Sequence, residues 1–343
     1  MTKPLKTDLM NTDSLSIEQL AGQRLMVGFE GKRFNPDLKF LIHDLKVGGV
    51  ILFSQNIETP DQVKKLCEAI QEYARIRNQP PLIIAIDQEG GQVARLKEPF
   101  TEFPGNQAMR DINDAIYFAE TTAAELNQAG INMNLAPVLD VAPRSMTSIV
   151  SERAFGHDPE WVSMLGLAVI SHLQQHRIMA VAKHFPGIGR TEADSHIELP
   201  SCDHSLSDLK SYDLIPFAES IAQQVADIMI SHVMYPEIDP KWPASLSKQI
   251  AHNLLREQMG FSSVSMTDDL DMGAITHHYD IKTAVRQILR AGIDMALICH
   301  KGPNIEIAYQ EILDGLHRSP DTRARGKASV ERIMALKMKY IPI

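Results

Sequence analysis

The sequence lacks the features that mark several large classes of protein. Its 343 residues include only three cysteines, Cys67, Cys202 and Cys299, which are scattered and show no CxxC or Cys/His metal spacing. No apolar run approaches the length of a membrane span. The segment from Met1 to Ser16 contains no apolar stretch typical of a signal peptide. These absences predict a cytoplasmic protein whose thiols stay reduced.

Positive charge is also in short supply. Lysine and arginine together number 34, against 43 aspartates and glutamates, and the formal net charge is -9. Because binding to nucleic acid or to an anionic membrane depends on clustered Lys and Arg, we expect neither as a partner. Hydrophobic content of 44% and charged content of 22% are ordinary for a globular protein. Composition leaves the oligomeric state undetermined.

Nucleotide-binding motifs, internal repeats and low-complexity tracts are missing as well. Neither GxGxxG nor a P-loop is present, which disfavours a doubly wound dinucleotide-binding sheet. Instead, apolar runs alternate with amphipathic segments along the whole chain, a pattern typical of parallel βα units. Eight strands are predicted: Leu25 to Phe29, Val47 to Phe53, Leu82 to Ile86, Met133 to Val138, Ile178 to His184, Asp227 to Ser231, Ser263 to Thr267 and Met295 to Cys299.

Eight βα units predict an α/β protein of the (β/α)8 TIM-barrel type rather than an open sheet. We expect a single domain over residues 1–343, with residues 1–15 as a flexible N-terminal extension. Helix boundaries are well marked, since Thr59-Pro60 and Asp158-Pro159 are typical N-terminal caps and Gly130 can end a helix that opens at Asp111. Further helices are predicted over Ser205 to Ala222, Gln249 to Met259, Lys282 to Ala291 and Thr322 to Lys339.

Polar residues stand where most of the predicted strands end. In a parallel barrel these ends meet at one rim, where active sites form, so we expect the polar groups to converge. They are Asp87, Asp140, Lys183-His184, His232, Asp268-Asp269 and His300. Asp87 precedes a Gly-Gly turn at which backbone can approach a ligand. Asp140 is interpreted as a loop brace, His232 as either a functional or a core histidine, and His300 as peripheral.

A Gly/Pro loop follows Lys183-His184 and ends in an aspartate and a histidine two residues apart. Asp194 can orient the ring of His196 and select its tautomer, which makes His196 a plausible proton donor. The Gly and Pro content predicts a hinged loop with few anchoring apolar residues that closes over a substrate.

These motifs resemble glycoside hydrolase family 3, and within it the single-domain beta-N-acetylglucosaminidases. The resemblance covers nearly the whole chain and rests on an ordered series of segments. They are GGVILF at 48–53, IDQEGGQVAR at 86–95, APVLDV at 136–141, ERAFGHDP at 152–159, KHFPGIGRTEADSH at 183–196, SHVMYP at 231–236 and TDDL at 267–270.

The resemblance implies which residues carry out the catalytic steps of a retaining glycosidase. It implies that Asp268 is the nucleophile and that His196, paired with Asp194, is the general acid/base. It also implies that the substrate sugar is bound by Asp87, Arg95, Arg153, Lys183 and His184. A cationic Lys183 or His184 nearby would keep the pKa of the nucleophile low.

The activity implied is hydrolysis of terminal N-acetylglucosamine from peptidoglycan fragments, small muropeptide-like amino-sugar glycosides, without cofactor or metal. A histidine acid/base also leaves open a phosphorylase, and a beta-glucosidase of the same family is a further alternative. A metal-dependent barrel hydrolase is disfavoured because His-x-His and HExxH are absent. An inactive sugar-binding protein is disfavoured by the intact Asp268 and Asp194/His196.

Two residues of the loop depart from the pattern of the family. Ile188 stands where the family usually has the histidine of Pro-Gly-His-Gly, and Arg190 replaces a residue that is commonly small or acidic. The packing of the loop is the property that these departures put in question.

Overall fold

A closed barrel of eight parallel strands organises the computed structural model, which describes residues 12–146, 148–191, 195 and 198–342. Going round the barrel, the strands follow the order β1-β2-β3-β6-β7-β8-β9-β10 and close back on β1, while β4 and β5 form a separate hairpin. The (β/α)8 prediction is therefore confirmed. The strands are β1 Leu25–Gly28, β2 Gly49–Leu52, β3 Ile83–Ile86, β4 Gln88–Gly90, β5 Val93–Ala94, β6 Met133–Asn134, β7 Met179–Phe185, β8 Asp227–Ile230, β9 Val264–Asp269 and β10 Met295–Ile298.

Helices cover the outside of the barrel and bury their apolar faces against it. In α3, for example, Val63, Leu66, Cys67, Ile70 and Ala74 recur at helical spacing and are buried. The α-helices are α1 Ile17–Gly22, α2 Pro36–His43, α3 Pro60–Ile76, α4 Ile112–Ala129, α5 Pro159–Gln175, α6 Leu206–Ser211, α7 Leu214–Ala222, α8 Gly273–Thr276, α9 Ile281–Ala291, α10 Pro303–Arg318 and α11 Pro320–Tyr340. A π-helix spans Gln249–Gln258. None of the helices in the described ranges is long and apolar enough to cross a membrane.

The predicted helix caps form as expected. The Thr59 hydroxyl accepts a hydrogen bond from the backbone N–H of Gln62, and the Asp111 carboxylate accepts two from the first turn of α4. Gly130 ends α4 with a φ of 77°, a left-handed conformation that glycine adopts without strain. The helix starts and stops that the sequence predicts here are confirmed.

The fourth and seventh barrel strands end at different places from those predicted. β6 stops at Asn134 instead of Val138, although the Leu135 N–H still donates to the Ile86 carbonyl and Val138 still bridges Lys183 in parallel. β9 runs two residues further than predicted, to Asp269. Asp268 and Asp269 are thus the last residues of a strand rather than the first of a loop.

The single helix predicted over Ser205 to Ala222 is wrong. The chain forms α6 and α7 with a break at Tyr212 and Asp213. Pro216 explains the break, since its ring would clash with the carbonyl of Tyr212 four residues earlier in a continuous helix. Pro216 is tolerated in the first turn of α7, where its missing N–H has no intrahelical partner.

Lys337 on α11 is a buried charge at the outside of the barrel. Its side chain is inaccessible to solvent, and its Nζ donates a hydrogen bond to Gln23 Oε1 at 2.6 Å. Burial lowers the pKa of Lys337 from 10.5 to about 7. The folded protein therefore binds this proton less tightly than the unfolded chain does.

We expect Lys337→Met to stabilise the protein at pH 7 by roughly 1–3 kcal/mol, because it removes a poorly solvated ammonium group and loses one hydrogen bond. Between pH 7 and pH 10.5 the unfolded chain carries the extra proton, so wild-type stability gains from rising pH at this residue. The advantage of the variant should therefore shrink towards pH 10. Urea unfolding at both pH values measures it.

Lys339→Met is the matched control, since Lys339 lies on the same helix and is exposed. Its effect should stay within about 0.5 kcal/mol at either pH. An equal advantage of Lys337→Met at pH 7 and pH 10 would contradict the assigned pKa.

Candidate active site

A cavity of about 240 Å³ opens at the C-terminal ends of the barrel strands. All of the predicted site residues that the structure describes line it, namely Asp87, Arg95, Arg153, Lys183, His184 and Asp268. The prediction that these groups converge is confirmed. Asp194 and His196 lie outside the described residues. Ser195, which stands between them, lines the same cavity and accepts a hydrogen bond from the backbone N–H of Ala274 at 3.0 Å.

A buried ionic network forms one wall of the cavity. Lys183 Nζ, at the end of β7, lies 2.8 Å from Asp87 Oδ1 and 2.7 Å from Glu89 Oε1. Glu89 also receives a two-pronged hydrogen bond from Arg153, with Nε at 2.9 Å and Nη2 at 2.7 Å. The side chains of Lys183 and Glu89 are 3% and 2% exposed. Each of these buried charges therefore has an opposite charge in contact.

Sequence reasoning missed Glu89. The sequence predicts a turn at Glu89, whereas Glu89 belongs to β4 of the short β4–β5 hairpin. The available signal was a second carboxylate two residues after Asp87, which in an extended chain lies on the same side.

The network holds its members ionised. Burial opposes charge on Asp87, but Lys183 and Arg95 outweigh it and lower the pKa of Asp87 to about 2. The pKa of Glu89 is likewise lowered, by Lys183 and Arg153 against burial. The two carboxylates in turn raise the pKa of Lys183 despite its burial. At neutral pH the wall presents fixed charges of both signs.

Arg95 offers a donor that the protein itself does not use. Its Nη2 lies 3.3 Å from Asp87 Oδ2, and its guanidinium lies over the ring of Phe53 at 5.4 Å. Its Nε–H is buried and has no hydrogen-bond partner among the described residues. Because an unpaired buried N–H is costly, this atom is suited to a ligand oxygen in the cavity.

Asp140 holds His184 and the start of the loop. His184 Nδ1 lies 2.7 Å from Asp140 Oδ2, and the backbone N–H of Ile188 donates to Asp140 Oδ1 at 2.8 Å. The carboxylate accepts the Nδ1–H of the ring and so fixes its orientation. The interpretation of Asp140 as a loop brace is confirmed, with the addition that it orients a cavity residue.

The adjacent carboxylates Asp268 and Asp269 have opposite environments. Asp268 lines the cavity. Burial opposes its charge, but electrostatic interactions, of which that with His184 is the largest and that with Lys183 is another, outweigh burial and lower its pKa. Asp269 accepts backbone hydrogen bonds from Asp271 and Cys299, at 3.0 and 2.9 Å. Burial raises the pKa of Asp269 to about 6. Both carboxylates line the cavity, but Asp268 is the ionised one and Asp269 is committed to holding the backbone.

His232 proves to be a satisfied core histidine. It is 1% exposed, with Nδ1 at 2.6 Å from Ser245 Oγ and Nε2 at 2.9 Å from the carbonyl oxygen of Asp269. Burial lowers its pKa, which favours the neutral ring. His232 therefore anchors the strand end that carries Asp268.

Among the described residues, Asp269, Asp271 and His300 form the one group whose ligand atoms are close enough to share a metal ion. Asp269 and Asp271 already accept hydrogen bonds from the protein, from Cys299 and from His300 and Asn304 respectively. His300 is largely exposed at the rim, as its peripheral interpretation predicts. These hydrogen bonds explain why the three residues lie close together.

Residues 186–191 are anchored more firmly than their Gly/Pro content predicts. The Tyr235 hydroxyl donates to the Gly187 carbonyl at 2.8 Å, and the Ile188 side chain is buried. Arg190 forms an ion pair with Asp213 at the α6–α7 break. Polar contacts from three other segments, carried by Asp140, Tyr235 and Asp213, therefore hold this part of the loop, and its closure over a substrate stays a prediction.

Comparison with known proteins agrees with this geometry. The family model "Glycosyl hydrolase family 3 N terminal domain" matches residues 16–336. A beta-hexosaminidase of Pseudomonas aeruginosa is 36% identical over 88% of this chain and 91% of its own length. Beta-hexosaminidase A of Pseudoalteromonas piscicida is 34% identical over 95% of this chain, which spans 61% of that protein.

Solved structures show the same likeness. A family 3 beta-N-acetylglucosaminidase from Paenibacillus sp. superposes with a TM-score of 0.92 at 37% identity, covering 95% of this chain and 63% of that one. NagZ from Neisseria gonorrhoeae superposes with a TM-score of 0.75 at 28% identity, covering 90% of this chain and 97% of that one.

The ionic wall leads to a prediction about stability. Glu89→Gln should destabilise the protein by about 2–4 kcal/mol, because Arg153 and Lys183 lose a buried counter-charge. Glu102→Gln is the control, since its pair with Lys97 is about half exposed and should contribute under about 1 kcal/mol. Urea unfolding measures both variants, and equal losses would show that the network is not needed for the fold.

Proposed function

This chain belongs to glycosyl hydrolase family 3, and from that membership we propose that it is a retaining beta-N-acetylglucosaminidase. Asp268 is the nucleophile, and His196, oriented by Asp194, is the general acid/base. One observation carries most of the proposal: Asp268 is a half-buried carboxylate whose pKa is lowered against burial, and it lines a cavity of about 240 Å³. A nucleophilic carboxylate must be ionised and must face the substrate.

In the first step, an Asp268 oxygen forms a bond to the anomeric carbon while the bond from that carbon to the aglycone oxygen breaks. His196 gives its proton to the departing oxygen, so the aglycone leaves as an alcohol. The product is a covalent glycosyl-enzyme with inverted configuration. His232, hydrogen-bonded to the carbonyl of Asp269, keeps the strand end that carries the nucleophile in place.

In the second step, water attacks the anomeric carbon and His196 takes one of its protons. The bond to Asp268 breaks with its electron pair returning to the carboxylate, and the second inversion restores the original configuration. Histidine suits both steps because its ordinary pKa lies near neutrality. Asp194 selects the tautomer and stabilises the charged ring.

The ionic wall supports recognition of a polar sugar. Asp87 offers carboxylate oxygens, Lys183 and Arg153 offer charged N–H groups, and Arg95 offers an Nε–H that no described residue accepts. Such groups bind hydroxyl and amide oxygens with good geometry, and Arg does so through two parallel bonds. The substrate class we propose is peptidoglycan fragments with terminal N-acetylglucosamine, processed in the cytoplasm without metal or cofactor. The beta-hexosaminidase names of the relatives support the sugar, and the resemblance of the motifs supports the fragment class.

We expect Asp268→Ala to lose at least about a thousandfold in kcat/KM on a chromogenic N-acetylglucosaminide, because the covalent route is removed. Asp269→Asn should retain far more activity. A mechanism-based fluorosugar should label the peptide that contains Asp268. Labelling of Asp87 or Asp269 would contradict the assignment, and faster turnover of a glucoside would identify a beta-glucosidase.

The same substrates distinguish water from phosphate as the acceptor. If N-acetylglucosamine is the product with and without added phosphate, the protein is a hydrolase. Formation of the sugar phosphate would identify a phosphorylase instead.

The role of His196 predicts a dependence on the leaving group. His196→Ala should lower kcat/KM for a natural disaccharide by about 100-fold or more but have much less effect on a 4-nitrophenyl glycoside, which departs without a proton. Asp194→Ala should show a milder form of the same pattern. Equal losses on both substrates would mean that another residue is the acid.

A further inference from the structure

We propose that Arg190 and Asp213 form a clamp that positions the loop carrying Asp194 and His196. Both would then be positioning residues for proton transfer. They would act through the pair Asp194 and His196, called the dyad below, rather than touch the substrate. The inference rests on the proposed function of the dyad and adds to it the part of the structure that sets its location.

The clamp is a buried two-pronged ion pair. Arg190 Nε lies 3.2 Å from Asp213 Oδ1, and its Nη2 contacts Oδ2 of the same carboxylate. The side chain of Asp213 is inaccessible to solvent and that of Arg190 is 16% exposed. A fork of two parallel bonds fixes the orientation of the guanidinium as well as its distance. Burial raises the pKa of Asp213 to about 6, and Arg190 opposes that effect.

The clamp connects the loop to two neighbouring segments. The Arg190 guanidinium lies 5.3 Å from the centre of the Tyr212 ring. Tyr212 in turn donates its hydroxyl hydrogen to the His157 carbonyl at 2.6 Å, just before α5. The α6–α7 break that Pro216 imposes is what turns Tyr212 and Asp213 towards the loop. The break thus supplies the loop with its ion-pair partner, Asp213.

The loop backbone leaves little room for adjustment beside the clamp. Gly187 has a φ of +116°, and a Cβ there would lie 2.7 Å from the Cβ of Asp213. A Cβ on Gly189 would lie 2.0 Å from the Val141 carbonyl oxygen. Backbone is therefore packed directly against neighbouring chain on both sides of Ile188. An apolar Ile188 side chain brings no polar anchor, so the charged anchor of this segment is Arg190.

Arg190 of the clamp lies close to the dyad in sequence, and a second contact holds the chain at Ser195. Arg190 precedes Asp194 by four residues, and the Ser195 carbonyl is held by the backbone N–H of Ala274 at 3.0 Å. The loop is thereby tied at residue 190 and at residue 195. Displacing a catalytic group by about 1 Å can cost about 100-fold in rate, so loss of one tie should act on proton transfer.

The experiment compares Arg190→Met, Asp213→Asn and the double variant on two substrates, a natural disaccharide and a 4-nitrophenyl glycoside. We expect kcat/KM for the disaccharide to fall about 10- to 100-fold in each single variant, with less than about threefold loss on the activated glycoside. KM should change little, because the sugar wall is untouched. The double variant should be no worse than the poorer single variant, as for two residues that act as one unit.

Arg286→Met is the matched control. Arg286 also makes a two-pronged pair with a buried carboxylate, Glu311, but on the helices outside the barrel. This variant should leave the ratio of the two kcat/KM values at the wild-type level even where it lowers thermal stability. A shift of the ratio in the control would show that general loosening of the fold causes the effect.

Arg190→Lys keeps the positive charge but loses the bidentate hydrogen bonds of the guanidinium. This variant replaces Arg190→Met in the experiment if Arg190→Met does not fold. It should shift the same ratio by a smaller factor. A wild-type protein that cleaves neither substrate would refute the proposed function. An active wild type whose clamp variants keep the wild-type ratio, or whose double variant shows the product of the single losses, would overturn the clamp alone.

Discussion

The pairing of buried charges at the barrel rim is the constraint on which the site depends. Lys183, Asp87, Glu89 and Arg153 come from three separate segments, and each is tolerated in a poorly solvated place only because an opposite charge touches it. Glu89 is the member that links Arg153 to Lys183, so its removal would leave Arg153 without its counter-charge. The ion pairs that form the wall of the cavity are therefore the same ones that stabilise the rim.

Hydrogen bonds to the backbone separate the roles of two adjacent aspartates. Asp268 and Asp269 end β9, and both line the cavity. One oxygen of Asp269 accepts the backbone N–H groups of Asp271 and Cys299 and so holds the chain around the strand end. Burial raises the pKa of Asp269, whereas the pKa of Asp268 is lowered, so Asp268 is the cavity carboxylate that stays ionised.

The loop after β7 shows how a fold can restrict a flexible sequence. Glycine and proline permit the turns that residues 186–191 make, but contacts from Asp140, Tyr235 and Asp213 select one path. Those partners are 23 to 48 residues away in sequence. The local composition sets which conformations the loop backbone can adopt, and side chains distant in sequence select one of them.

Hydrophobic periodicity and cap residues in the sequence alone determined the eight βα units, and the strand-end rule placed Asp87, Lys183, His184 and Asp268 at one rim. These properties are local, since strand pattern and helix caps depend on neighbours within a few residues. The place of Glu89 in the ionic wall, the neutral core role of His232 and the pairing of Arg190 with Asp213 were decided only by the tertiary structure. Each depends on a partner brought close by barrel closure, and the energy of a charge is set by what surrounds it rather than by its position along the chain.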